Sequence, residues 1–173
     1  MNKLNPESIE QLFSIIPNHP ALSLMQFTDQ IDDIAIALKE FSKKNDYELL
    51  LNISNNENLE KAKILEETPI CKVKSIKWQQ RRYASMGTLF YNVFVTTLVP
   101  NEHKEAFLEN VLHHIKTAGH ILFFLPKGNR DLLDTWWEML EEKSLVSIST
   151  LDISEKYEIL IGKKMHGWDS SFK

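Results

Sequence analysis

The twelve residues KVKSIKWQQRRY, at 72–83, gather five basic side chains beside Trp78 and Tyr83. Cations that neutralise phosphates, interleaved with rings on which bases stack, are the composition of a single-stranded RNA-binding stripe. Lysines at Lys72 and Lys74 share one strand face, yet lysines on an edge strand also deter self-pairing. With a formal net charge of −4 the chain has no global attraction to nucleic acid or anionic lipid. Nucleic acid is therefore not the expected partner, and Arg81 and Arg82 would suit an acidic protein equally well.

The other reactive residue types give less. Of the six histidines, His19, His103, His113, His114, His120 and His166, only His113 and His114 are close in sequence. Adjacent helical positions diverge by about 100°, so these two cannot form the i, i+4 pair of a metal site, and Glu109 with His113 supplies only two ligands. No metal site is expected. A single cysteine, Cys71, excludes an internal disulfide and a cysteine-based zinc cluster, and its apolar surroundings mark a buried structural thiol. Glu141 and Glu142 belong to a charged helix end. No serine or threonine lies in a nucleophile-elbow sequence, so no catalytic residue is assigned. Glycine is the unusual count: there are five, the first at Gly87, which excludes a P-loop or a G-x-G-x-x-G turn from the first half of the chain.

The elements that must position any site follow from periodicity. Asn5 before Pro6 caps a helix whose Ile9, Leu12, Phe13 and Ile16 form one face. A short apolar run at 21–27 predicts a strand buried on both sides. Next comes a helix through Ile31, Ile34, Ala35, Leu38 and Phe41, with Asp29, Asp32 and Asp33 at its start and Lys43 and Lys44 at its end, as the helix dipole favours. A strand at 47–53 follows, and SNNE at 54–57 reads as a capping box opening a helix through Leu59, Ala62 and Leu65. Further strands are predicted at 70–78, 90–97 and 120–125, with helices at 102–116 and 129–143. A hairpin of 145–153 and 156–163, turning at Ser154 and Glu155, closes the chain. Trp136 and Trp137 are core residues, one of them partly exposed.

Strands alternating with helices imply a doubly wound, mostly parallel sheet with helices on both faces and one antiparallel hairpin strand. The link at 79–89 is barely long enough for a crossover. One domain spans 1–173, with an N-terminal helix in 1–17, the α/β sheet in 18–166 and a tail at 167–173. No signal peptide or membrane span is read, and a cytoplasmic location is expected.

The stretch YNVFVTTLVPNEHKEAFLENVLHHIKTAGHILFFLPKG resembles the fourth strand, following helix, glycine turn and fifth strand of the class I S-adenosylmethionine-dependent methyltransferases. There Gly119 keeps one of the family's two turn glycines and His120 replaces the other. YELLLNISNNENLEKAKIL resembles the family's second strand and its capped helix. The resemblance implies a seven-stranded sheet and a cofactor crevice at the carboxyl ends of strands one, two and four, with Gln26, Thr28, Asp29, Asn52, Thr96 and Thr97 at the crevice positions. Laying LMQFTDQIDDIAIALKE on the family's first strand puts Gln26 at its acidic position and Thr28, Gln30 and Asp32 at its three glycines. Asn52 takes the place of the carboxylate that holds both ribose hydroxyls, and Gln79 or Gln80 the polar position after strand three.

Side chains in place of glycines fill the ligand's space and cost about 1–2 kcal/mol wherever a left-handed conformation is required. Exchanging a carboxylate for Asn52 loses charge-assisted hydrogen bonds of roughly 1.5–3 kcal/mol each, against about 8 kcal/mol for a micromolar ligand. The expectation is a scaffold without cofactor, acting through a protein partner or as a homo-oligomer. Two alternatives stand beside it: an active methyltransferase with a divergent loop, in which Asp29 or Asp32 attracts the sulfonium, and an RNA-binding module.

Overall fold

Asn5 accepts a hydrogen bond from Ser8 N (2.8 Å) and Pro6 presets the first turn, so α1 runs Pro6–Phe13 as the cap chemistry requires. The computed structural model describes residues 5–17 and 19–165; the tail and His166 lie outside them. Strand β1 (Ser23–Thr28) leads to α2 (Asp33–Asn45), then β2 (Glu48–Ile53). After β2 the chain makes 3-10 turns around a single helical turn, α3 (Leu59–Ala62), before β3 (Cys71–Ser75). The irregular segment 76–89 connects to β4 (Phe90–Val95), which is followed by α4 (Lys104–Leu112), β5 (Ile115–Pro126), α5 (Arg130–Glu142), β6 (Val146–Leu151) and β7 (Tyr157–Lys163).

The seven strands form one sheet in the order β3-β2-β1-β4-β5-β7-β6. The first five are parallel, and β7 runs antiparallel between β5 and β6. This is the doubly wound sheet with a closing hairpin strand that the pattern of elements implied. Two cores lie on its two faces. On one, Met25, Phe27, Val93, Val95, Ile121 and Phe123 meet Phe107 and Val111 of α4 and Leu133, Trp136 and Leu140 of α5. On the other, Leu24, Leu49, Leu51, Phe94 and Leu122 meet Leu12 of α1 and Ile34 and Leu38 of α2. Helix α1 is fixed over that second face by the Ser8 hydroxyl, which donates to Ile153 O, and by Phe13 against Phe41, with ring centres 4.6 Å apart.

Several boundaries differ from the sequence reading, each for a local reason. In SNNE the cap is Asn55, whose Oδ1 accepts from Glu57 N (3.1 Å), so a 3-10 turn forms where a Ser54-capped helix is predicted. The helix predicted over 102–116 ends at Leu112. Buried Lys164 donates to Leu112 O (2.8 Å) and Ile115 O (2.6 Å), satisfying carbonyls that a longer helix would have used. Strand β5 accordingly starts at Ile115, with Ala118 at φ 71° and a register shift between Phe90 and Asn92. The hairpin connection takes residues 152–156 rather than a two-residue turn. At the sheet edge, β6 is bulged: Ser147 has φ 52° and the register shifts between Val146 and Ser149. Among the described residues, no helix is long and apolar enough to cross a membrane.

Candidate functional site

Strands β1, β2 and β4 end side by side, where α/β sheets place ligands. Alternation along β1 turns Gln26 and Thr28 to the α2 face, and both are buried. Gln26 Nε2 donates to Asp32 Oδ1 (3.0 Å) and Thr96 Oγ1 (2.8 Å); the Thr96 hydroxyl donates to Asp32 Oδ2 (2.6 Å). The Thr28 hydroxyl lies within reach of Gln30 O (2.7 Å) and Asp32 Oδ2 (3.1 Å). Asp32 is also the N-cap of α2, its Oδ1 accepting from Ala35 N (2.7 Å). One carboxylate thus joins the end of β1, the end of β4 and the start of α2. From a third side, Asn58 Nδ2 donates to Asp29 O (2.8 Å). A glycine turn in this position lends backbone amides to a ligand; here side chains close the turn upon itself.

The structure therefore brings Gln26, Thr28 and Thr96 together around Asp32, which the sequence marked as a charge at the start of a helix and a turn position but not as their common hub. Asp29 sits half-buried in the same turn. Its charge, with those of Asp32 and Asp33, adds to burial in raising the pKa of Tyr157. Thr97 is half-buried beside Thr96, and among the described residues no side-chain bond ties it to the hub.

Asn52, at the end of β2, faces the opposite side of the sheet. Its register partners are Phe27 and Lys74. It has no exposed surface, and among the described residues neither Oδ1 nor Nδ2 has a hydrogen-bond partner. Around Phe27 on that face stand Trp78, Tyr83 and Phe107, with ring centres 6.0, 5.0 and 5.0 Å away. Trp78 and Tyr83 belong to the irregular segment 76–89, which folds against the sheet instead of forming a helix. Several bonds hold it there. Tyr83 OH donates to Trp78 O (2.8 Å), Asn110 Nδ2 to Gln80 O (3.1 Å) and Lys74 Nζ to Tyr83 O. Buried His114 takes Tyr83 N–H on Nε2 (3.3 Å) and bonds Thr88 O through Nδ1 (3.1 Å), which fixes the neutral tautomer with its proton on Nδ1. Burial lowers the His114 pKa and raises that of the Tyr83 phenol.

Asn52, the position that the resemblance assigns to the ribose of S-adenosylmethionine, has no exposed surface, and both oxygens of the Asp32 carboxylate are engaged by neighbouring donors. Among the described residues, buried polar atoms without a partner favour a polar visitor, since an orphaned buried group costs about 1–3 kcal/mol; they include both amide atoms of Asn52 and, at the turn, Gln26 Oε1 and Asp33 Oδ2. As for the remaining candidates, Cys71 is buried and its thiol is pushed up to about 11 by desolvation, which makes it unreactive. Trp78 and Tyr83, the two rings of the basic stretch, pack into the core rather than offering faces to bases. Among the described residues, no group of three or more His, Cys, Asp or Glu side chains could hold a metal ion.

No family model and no curated protein matches the chain in sequence. Its fold does have solved counterparts. An S-adenosylmethionine-dependent O-methyltransferase from Thermotoga maritima superposes with a TM-score of 0.71 over 98% of this chain and 69% of its own, at 9% identity. A methyltransferase from Pyrococcus furiosus gives 0.63 over 93% and 83%, at 18% identity. The magnesium protoporphyrin IX methyltransferase from Synechocystis, solved with S-adenosylmethionine bound, gives 0.64 over 91% and 76%, at 12% identity. The chain has the class I methyltransferase-like fold.

Proposed function

We propose that this chain is a methyltransferase-fold protein whose cofactor crevice is closed, and that it acts by binding a protein partner or a second copy of itself rather than by methyl transfer. The observation that carries this reading is Asp32, whose carboxylate is held by Gln26, Thr28, Thr96 and the α2 amide of Ala35. The Asp32 carboxylate, the Gln26 amide nitrogen and the Thr28 and Thr96 hydroxyls are thus all engaged by neighbours within the turn. The burial of Asn52, whose register neighbour Phe27 packs against Trp78 and Tyr83 of the 76–89 segment, supports the same reading from the other face. A cytoplasmic setting suits the lone buried thiol of Cys71.

Isothermal calorimetry and thermal shift with S-adenosylmethionine and S-adenosylhomocysteine test the reading. The expected result is no saturable heat and no change in Tm. Saturable micromolar binding of either compound overturns it. The unpaired amide of Asn52 favours one second reading, an active methyltransferase in which the 76–89 segment lifts to admit the cofactor. In that case Asn52→Ala weakens the binding while leaving the fold intact.

A further inference from the structure

At the edge of the sheet opposite the crevice, where β1, β2 and β4 begin, lies a cavity of about 260 Å3. Its polar lining is Ser23, Glu48, Lys72, Lys74, Ser85 and Thr88, drawn from three strands and from the 76–89 segment that forms its roof. Lys72 and Lys74 stand two residues apart on β3 and so project from the same face. Lys72 is exposed, whereas Lys74 is half-buried. An ammonium has three donors, and Tyr83 O takes one of those on Lys74. Burial lowers the Lys74 pKa, so its charge is poorly solvated and an approaching anion would stabilise it. Lysines on an edge strand need no ligand to explain them. Edge protection, however, calls for neither a half-buried ammonium nor hydroxyls from another segment lining the same cavity.

We infer that this cavity binds a small phosphate monoester, with Lys72 and Lys74 holding the phosphate, the Ser85 and Thr88 hydroxyls adding hydrogen bonds, and Glu48 accepting from a hydroxyl of the ligand's body. Its size supports that class. A liquid water occupies about 30 Å3, so the space exceeds a bare anion, yet it falls below the roughly 300–1,000 Å3 of pockets for drug-sized ligands. The one carboxylate in the lining, unhelpful to a free anion, has a use if the ligand carries hydroxyls. The inference concerns the amino edge alone and is independent of whether the crevice binds a cofactor.

Calorimetry on the full chain with glycerol 3-phosphate, inorganic phosphate and glycerol as probes tests it. Glycerol 3-phosphate is expected to bind saturably and more weakly as salt rises, with amide shifts at Ser85 and Thr88, and glycerol not at all. Lys72→Met, at an exposed position that leaves the fold intact, is expected to weaken the binding about tenfold or more. Glu48→Gln should weaken glycerol 3-phosphate while sparing inorganic phosphate. Equal affinity for the ester and the free anion overturns the ester class. Absence of saturable binding at millimolar ester, or unchanged affinity in Lys72→Met, overturns the site. Binding confined to mixed-sequence oligonucleotides and lost in Lys72→Met also overturns it, in favour of a nucleic-acid surface.

Discussion

Replacing Asp32 by alanine removes the hub at the head of the sheet, and its cost can be worked from the bonds it makes. Losing an N-cap acceptor costs about 1 kcal/mol. Gln26, with no exposed surface, keeps Thr96 as a partner for Nε2 but loses Asp32 (3.0 Å). The Thr96 hydroxyl falls back from a 2.6 Å contact to the weaker Phe27 O at 3.3 Å. Poorly satisfied buried donors of this kind add about 1–3 kcal/mol. The total is about 2–4 kcal/mol, or roughly 4–16 °C in Tm for a chain of this size. Asp32→Asn keeps the cap and one acceptor and should lose about half as much. Urea unfolding followed by circular dichroism, with the m-value checked for constancy, measures both. Because Gln26 and Asp32 belong to one network, Gln26→Leu combined with Asp32→Ala should depart from additivity by about 0.5 kcal/mol or more. A loss below about 1 kcal/mol in Asp32→Ala, or strict additivity in the double variant, refutes the idea that this carboxylate organises the turn.

Acid should destabilise the protein through His114. Its pKa is lowered in the folded state by burial, with Lys74, His113 and Arg82 adding repulsion. The unfolded chain therefore binds a proton that the folded one refuses, so stability is complete above about pH 6.5, falls as pH drops toward the depressed folded value and is constant beneath it. His114→Gln should flatten that slope in urea titrations at a series of pH values, leaving the share of His120, which burial also depresses. Phe107→Ala should cost about 3–5 kcal/mol, since Phe107 meets Phe27, Trp78, Tyr83 and Trp136; chemical unfolding reads this directly. Gly119→Ala would set a Cβ 2.2 Å from Tyr91 O and should lose about 3 kcal/mol or more. Gly128→Ala meets nothing within 4 Å but carries φ +90°, so its loss in the same assay should be only about 1–2 kcal/mol.

The sheet was legible because its strands and helices carry their signals locally. The apolar run of β1, the Asp and Lys ends of α2 and the Asn cap of α1 each act within a few residues. The family resemblance also singles out Gln26, Thr28 and Thr96, which the structure brings together at the ends of β1 and β4. That Asp32 binds them together was not legible, since it depends on β1 and β4 becoming neighbours across some seventy residues of chain. The inward packing of the 76–89 segment was hidden for a related reason. In sequence, Trp78 and Tyr83 look like companions of the nearby basic residues, and only Phe27 and Phe107, distant along the chain, draw them inward. The shortened α4 shows the same limit, being set by Lys164, far downstream.

The bulge at Ser147 in β6 has a consequence for the protein at high concentration. Strand β6 is the outermost of the sheet on its side, with Ser147, Ser149 and Thr150 exposed. Its free backbone edge would otherwise be a template on which other molecules could lay further strands. A residue at φ 52° beside a broken register spoils the regular spacing that such growth needs, so the kink acts as a guard against fibril formation.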